Sequence, residues 1–282
     1  MNVYQHLLKF TNIYEILQNA EDAGASSISF NLFSDHLVIT HNSKKDFDFD
    51  DVDGITGIGI STKKDDLNKI GKFGIGFKSV FAITQSPIIE SGQYHFQIDN
   101  FVLPKALSLN GNTGTTVRLP FNHPIREQNE IFELVENKLQ DIGLKTLLFL
   151  SNIKEIKWNS PSQNGHYYKS VKSIKGAKNT DKVEIVSQIG NDENFEEYLV
   201  LKKPIKVSDK KLKVEIAYRL KTDENGNEQI ISIPDQESKL VVYFPTEKIT
   251  YLNFIIQGPF KTTTNRENIP LDDEQNKIII DE

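Results

Sequence analysis

The sequence predicts an α+β protein in two parts. Up to about Pro120, helix-spaced apolar residues are interleaved with period-two stretches, and beyond Pro124 the period-two stretches dominate. The length agrees, because 282 residues is comfortable for two domains when domains cluster near roughly 100–200 residues. Pro120 and Pro124 set the expected boundary, giving residues 1–122 as the first domain and 123–282 as a second, β-rich α+β domain.

The elements follow in order. Leu7, Ile13, Ile16, Leu17 and Ala20 recur near helical spacing, so a helix is expected from Val3 to about Ala23, stopped by Gly24. Ile28, Phe30 and Leu32 alternate with polar residues, and Leu37-Val-Ile39 follows the turn at Ser34-Asp35, which reads as two short strands. A short helix is expected at Asp50 to Ile55 and another at Phe77 to Ala82, with a glycine-punctuated, charged connection from Gly57 to Gly76 between them. Long glycine-rich connections in compact domains are usually functional. Strands are expected around Tyr94–Ile98 and Thr115–Leu119, then a helix from about Glu127 to Leu150. Seven β segments follow, beginning at Ile153, Tyr167, Lys182, Glu196, Leu212, Leu240 and Phe254, with a hairpin turn at Asp223 to Asn227. The chain stops at Ile278-Ile-Ile-Asp-Glu282 without an evident structural close, as a truncated protein would.

Composition narrows the function classes. Hydrophobic residues make up 38% and aromatics 10%, enough for a sizeable core. A net charge of −6 gives no sign of a nucleic-acid binder. The basic stretch from Lys202 to Lys213 reads as a solvated strand pair with a turn, with a basic docking face as the alternative. The absence of cysteine excludes disulfides, thiolate catalysis and cysteine zinc sites. The six histidines include no pair at i, i+4. No apolar run approaches bilayer length, so a cytoplasmic protein that does not bind membranes is expected.

The chemistry concentrates in three places. On the first helix Glu15 and Asn19 are four apart and share a face. An amide oxygen can ligate magnesium, and a carboxylate one turn earlier can orient the water that attacks a phosphate. An isolated pair of this kind is more often just a solvated face. The second place is Ile70-Gly-Lys-Phe-Gly-Ile-Gly-Phe-Lys-Ser-Val-Phe81, where three glycines precede a helical run. Glycines let backbone amides approach a phosphate, and a helix N-terminus favours its charge. It is neither a P-loop, since Phe77 separates Gly76 from Lys78, nor a dinucleotide fingerprint, since Ser79 stands where the third glycine belongs. The third is Gly114-Thr-Thr-Val117, where a threonine hydroxyl could reach a base edge or a bridging water.

In this order and spacing the three places resemble the GHKL ATPases, the superfamily of gyrase B, the ninety-kilodalton heat-shock chaperone, histidine kinases and the MutL repair protein. The stretches EILQNAEDAGA, IGKFGIGFKSVF and FPTEKITYLNFIIQGPFKTTTNRENIP look most like sacsin-type proteins. The resemblance implies a Bergerat-type α/β sandwich first domain, with helices over one face of a mixed, mostly antiparallel sheet. It implies ATP and Mg2+ as ligands and slow ATP hydrolysis coupled to lid and domain closure, with a nucleotide-dependent switch without hydrolysis as the alternative. Protein clients or further domains of a larger protein are the other partners it suggests.

By the same resemblance Glu15 falls on the general base, Asn19 on the magnesium ligand and Asp22 on a residue near the ribose and phosphates. Gly71, Lys72, Phe73, Gly74, Ile75, Gly76 and Phe77 fall on the closing glycine segment of the lid, and Thr115 on the threonine behind the adenine contact. Arg266, within Thr264-Asn-Arg-Glu-Asn268, falls on a second-domain arginine that reaches the terminal phosphate. One position departs from the pattern. The aspartate that accepts the adenine amino group is missing from Thr40-His-Asn-Ser-Lys44, where the best match is Asn42, subject to a slip of one residue.

Overall fold

The structure, a computed structural model, describes residues 13–57, 77–108, 111, 113–207, 210–262 and 268–281. They fall into two units. The first comprises Met1–Gly143, Ser151–His166 and Gln188–Asp192, and the second Leu144–Leu150, Tyr167–Ser187 and Glu193–Glu282.

The first unit opens with α1, Ile13–Asp22, which buries Ile13, Ile16, Leu17 and Ala20. Residues 3–12 of the expected helix lie outside the described residues. Gly24, at φ +73°, takes the left-handed conformation that closes a Schellman cap. Its N–H donates to the Glu21 carbonyl at 3.0 Å, and the Ala25 N–H donates to the Ala20 carbonyl at 3.0 Å. Strands β1 (Ser27–Leu32) and β2 (His36–His41) follow as an antiparallel pair. Helix α2 (Phe49–Thr56) starts at a capping box in which Asp48 and Asp51 each accept the other's backbone N–H. The run Phe77–Ala82 is a 3-10 helix, and β3 (Ile88–Ser91), β4 (Tyr94–Asp99), β5 (Leu103–Ala106) and β6 (Thr115–Pro120) complete the antiparallel part. After α3 (Gln128–Gln140), strand β7 (Glu155–Asn159) pairs parallel with β1. The strand order is β7-β1-β2-β6-β3-β4-β5, mixed and mostly antiparallel.

Registers place Trp158, Phe30, Ile39, Val117, Ile89 and Phe96 in one row across six strands, all buried. This row is the core of the unit, and the residues beside it along the strands stay partly or fully exposed, except for the buried Glu90 on β3.

The helix expected from Glu127 to Leu150 ends at Gln140. Leu147, Leu148, Phe149 and Leu150 are four consecutive buried apolar residues. A helix could not hide all four against one surface. Instead, Leu144–Leu150 joins the second unit.

In the second unit β8 (Asn164–Ser173), β9 (Thr180–Ile189), β10 (Asp192–Val207) and β11 (Lys210–Thr222) are long strands. Short strands β12 (Glu228–Ile231), β13 (Lys239–Val242), β14 (Phe244–Ile249) and β15 (Ile255–Gln257) and helix α4 (Glu274–Asp281) follow. The order is β14-β13-β15-β11-β10-β9-β8, with β12 on β11. The basic stretch is indeed a strand pair, with Lys203 opposite Val214 and Lys206 opposite Lys211. The buried Lys169 ammonium donates to the Leu147 carbonyl at 2.7 Å and to the Leu150 carbonyl, fixing the segment before β7. The expected α+β class therefore holds, with a Bergerat-type sheet in the first unit.

Candidate functional site

Spacing of four and three residues puts Glu15, Asn19 and Asp22 on one side of α1, away from the buried stripe. All three are half-buried. Two carboxylates and an amide oxygen form an oxygen donor set suited to a hard divalent ion.

The helix is held in place by a residue that sequence reasoning passed over. Glu21 is buried, and its carboxylate accepts the backbone N–H groups of Ser151, Asn152 and Ile153, each at 2.8 Å. Asn152 Nδ2 adds a bond to the Glu21 carbonyl at 3.1 Å. A buried carboxylate is tolerated where several donors replace its water. This clamp ties the C-terminal turn of α1 to the loop that enters β7.

Gly71, Lys72, Phe73, Gly74, Ile75 and Gly76 lie outside the described residues, as does Arg266. Phe77 is buried at the start of the 3-10 helix. Lys78 Nζ donates to the Thr56 carbonyl at 3.5 Å and the Phe101 carbonyl at 3.4 Å. It thus bonds the last turn of α2 to the start of the 3-10 helix, the two flanks of the glycine-rich segment. Burial holds the Lys78 ammonium below its ordinary pKa.

At the ends of β2, β6 and β3 the sheet presents a polar row. Register places Ile28 opposite His41, His41 opposite Thr115, and Thr115 opposite Ser91. The row lies two residues along from the apolar row and on the same face. Thr115 is buried; its hydroxyl is 2.7 Å from Ser91 Oγ and 3.3 Å from Ser43 Oγ. Ser91 Oγ in turn accepts the Phe47 N–H at 3.1 Å. His41 Nδ1 is buried without a hydrogen-bond partner, and desolvation holds the ring's pKa down at about 4, so the imidazole is neutral at pH 7.

Asn42 faces elsewhere. Its Oδ1 accepts the N–H groups of Ser26 and Ser27, each at 2.9 Å, and its Nδ2 donates to Ser26 Oγ at 2.9 Å. The amide therefore caps the start of β1. The carbonyl's two lone pairs and one amide proton are taken up there.

Gly114 shapes the same end. It sits at φ +77°, and a Cβ there would lie 2.5 Å from the His41 carbonyl oxygen. Among the described residues no group of three or more His, Asp or Glu side chains is gathered as a metal site, so an ion at α1 would rely on the Asn19 amide and on oxygens the nucleotide brings.

The fold class comes first: an α+β fold whose first unit carries a mixed, mostly antiparallel sheet of Bergerat type. The fold matches the N-terminal domain of a DNA repair protein with a TM-score of 0.50 at 13% identity, covering 95% of this chain and 89% of that one. At that identity the likeness is one of fold alone.

The sequence comparison is narrower. Residues 36–113 match the Sacsin domain family, a span that contains β2, His41, Asn42 and the whole glycine-rich segment. Human sacsin is 32% identical over 117 residues, 35% of this chain and 3% of sacsin. Protein NO VEIN of Arabidopsis thaliana is 26% identical over 305 residues, 96% of this chain and 11% of that protein. The chain thus spans a small fraction of the curated relatives it matches. The sacsin-like part of the resemblance read from the motifs is what the family and sequence comparisons return.

Proposed function

We propose that this chain is an ATP-binding domain that hydrolyses ATP slowly with magnesium. The observation that carries the reading is the half-buried Glu15, Asn19 and Asp22 face of α1, clamped by Glu21, in a fold of this type.

Bound magnesium would neutralise phosphate charge and order water around itself. The Asn19 side-chain oxygen is the donor that holds the ion, and Asp22, one turn on, faces the ribose and phosphates. Glu15 accepts a proton from the attacking water, which it orients from one turn before Asn19. Gly71 to Phe77 supply backbone amides to the phosphates, and Thr115 supports the base contact. Arg266, from the second domain, offers a planar guanidinium to the transferring phosphoryl group. Residues 1–122 hold the nucleotide in this reading, and 123–282 supply the arginine on closure.

No helix among the described residues is long and apolar enough to cross a membrane. A cytoplasmic setting and client proteins remain part of the proposal.

Titration of the full chain with ATP tests the reading. Binding should require magnesium in the parent, and Asn19→Ala should weaken it in magnesium far more than in EDTA. Glu15→Ala should bind ATP normally and hydrolyse it about 10²–10⁴-fold more slowly, as loss of a general base does. Equal turnover in Glu15→Ala and parent would overturn the general-base role of Glu15; no turnover in the parent would leave a nucleotide-dependent switch without catalysis. Absence of ATP binding would end the proposal.

A further inference from the structure

We infer that His41, in place of a carboxylate, is the group that meets the edge of the bound base, and that the site consequently accepts guanine about as well as adenine. The inference rests on the nucleotide-binding reading above.

Four observations carry it. His41 lies on the core face of the sheet: Leu37 and Ile39, two and four residues before it, are both fully buried there. It is flanked by Ile28 on one strand and Thr115 on the other, where the face changes from apolar to hydroxyl-bearing. Its Nδ1 is buried and unpartnered, which is costly unless a ligand or a ring rotation supplies a partner. Asn42, the adjacent amide, is already committed to Ser26 and Ser27.

The chemistry of the cluster follows from its groups. A neutral imidazole carries one donor and one acceptor nitrogen, and a change of tautomer exchanges them. The hydroxyls of Ser43, Thr115 and Ser91 rotate and can each donate or accept. An acid at this place would only accept, and would favour the amino group of adenine over the carbonyl of guanine. The set found here can accept from an amino group or donate to a carbonyl. It carries no fixed charge with which to reject either.

The test is competitive binding of ATP and GTP with magnesium to the full chain. The parent should bind the two within about 10-fold of each other, since no hydrogen bond at the base is specific to one of them. His41→Asp should shift the ratio toward ATP by about 10-fold or more, through a charge-assisted acceptor. His41→Asn, which keeps one donor and one acceptor group, should hold the parent ratio. A ring-nitrogen NMR spectrum of the parent gives a readout that needs no variant to fold: the His41 signals should move when ATP is added and again, differently, when GTP is added.

An unchanged ATP/GTP ratio in a folded His41→Asp protein overturns the inference. So does a parent that prefers ATP by about 100-fold or more, or a His41 ring spectrum indifferent to nucleotide. If ATP and GTP bind, and Asn19→Ala alters that binding while His41 is silent, only the base assignment fails. If neither nucleotide binds the parent, the nucleotide reading fails with it.

Discussion

The Glu21 side chain and the Nδ1 atom of His41 are buried polar groups of the same unit, and the fold treats them oppositely. The Glu21 carboxylate takes up three backbone N–H groups of residues 151–153 and is spent entirely on structure. His41 is desolvated to a pKa of about 4 while its Nδ1 has no partner at all. The first arrangement offsets the cost of burying a charge with charge-assisted bonds. The second leaves a cost standing within the protein. A fold that satisfies a carboxylate 20 residues earlier in the chain is capable of satisfying an imidazole. The bare Nδ1 at the end of β2 is the observation on which the proposed base contact rests.

Glu21→Ala should give the largest effect on stability. It removes the acceptor from three N–H donors, that of Ile153 buried and those of Ser151 and Asn152 partly exposed, and unpins α1 from the loop before β7; at about 1 kcal/mol for each partly exposed bond and about 1–3 kcal/mol for the buried one, the total is about 3–5 kcal/mol. Urea unfolding measures it. Glu21→Gln should cost less, because one of its oxygens can still accept. If Glu21→Ala is neutral, the clamp is not structural and the contrast with His41 collapses.

Acid should sharpen the contrast from the other side. Desolvation holds the His41 ring at a pKa of about 4 when folded, against the ordinary imidazole value of 6.5 when unfolded. Above pH 6.5 the ring is neutral in both states and contributes no pH dependence. As pH falls from 6.5 toward 4, the unfolded chain takes up a proton that the folded chain refuses, so stability declines over that window and the decline stops below it. The full loss is about 3 kcal/mol by linkage. His41→Gln should flatten that part of the profile between about pH 6.5 and pH 4, compared by urea midpoints. An identical slope in the variant would mean that the ring is already solvated or paired.

Gly114→Ala should have the smallest effect of the three. The new Cβ meets the His41 carbonyl oxygen and the residue must hold a positive φ. A cost of about 1–2 kcal/mol is expected for a single strained residue. Because the displaced atom belongs to His41, its ring-nitrogen signals should shift as well. A shift in stability without any change at His41 would show that β6 relaxes instead of β2.

Much of the first unit was legible in the sequence. The four- and three-residue spacing of Glu15, Asn19 and Asp22 is enough to place them together on α1, because helical geometry is local. The alternation of Leu37 and Ile39 also carries His41 onto the core face, a signal that was present but hidden by the match of Asn42 to a family pattern. The short strands β3 and β5 went unread. All four residues of β5 are exposed, so no buried alternation marks it. Helix α4 was missed as well, since its buried residues include Gln275 and Asn276, which no apolar pattern flags.

By itself, then, the sequence determined what depends on near neighbours: the α+β class, the face of α1 that carries Glu15, Asn19 and Asp22, the glycine stop at Gly24, the hairpin of the basic stretch. Only the tertiary structure decided what depends on distant ones. Glu21 becomes a clamp because residues 130 positions later fold back to it. Ser91 and Thr115 form a hydroxyl pair because β3 and β6 are adjacent, although 24 positions separate them. The end of α3 at Gln140 follows from the second unit claiming Leu144–Leu150. In each case the decisive partner is a backbone group or strand neighbour, and periodicity records which face a side chain takes, not which atoms wait there.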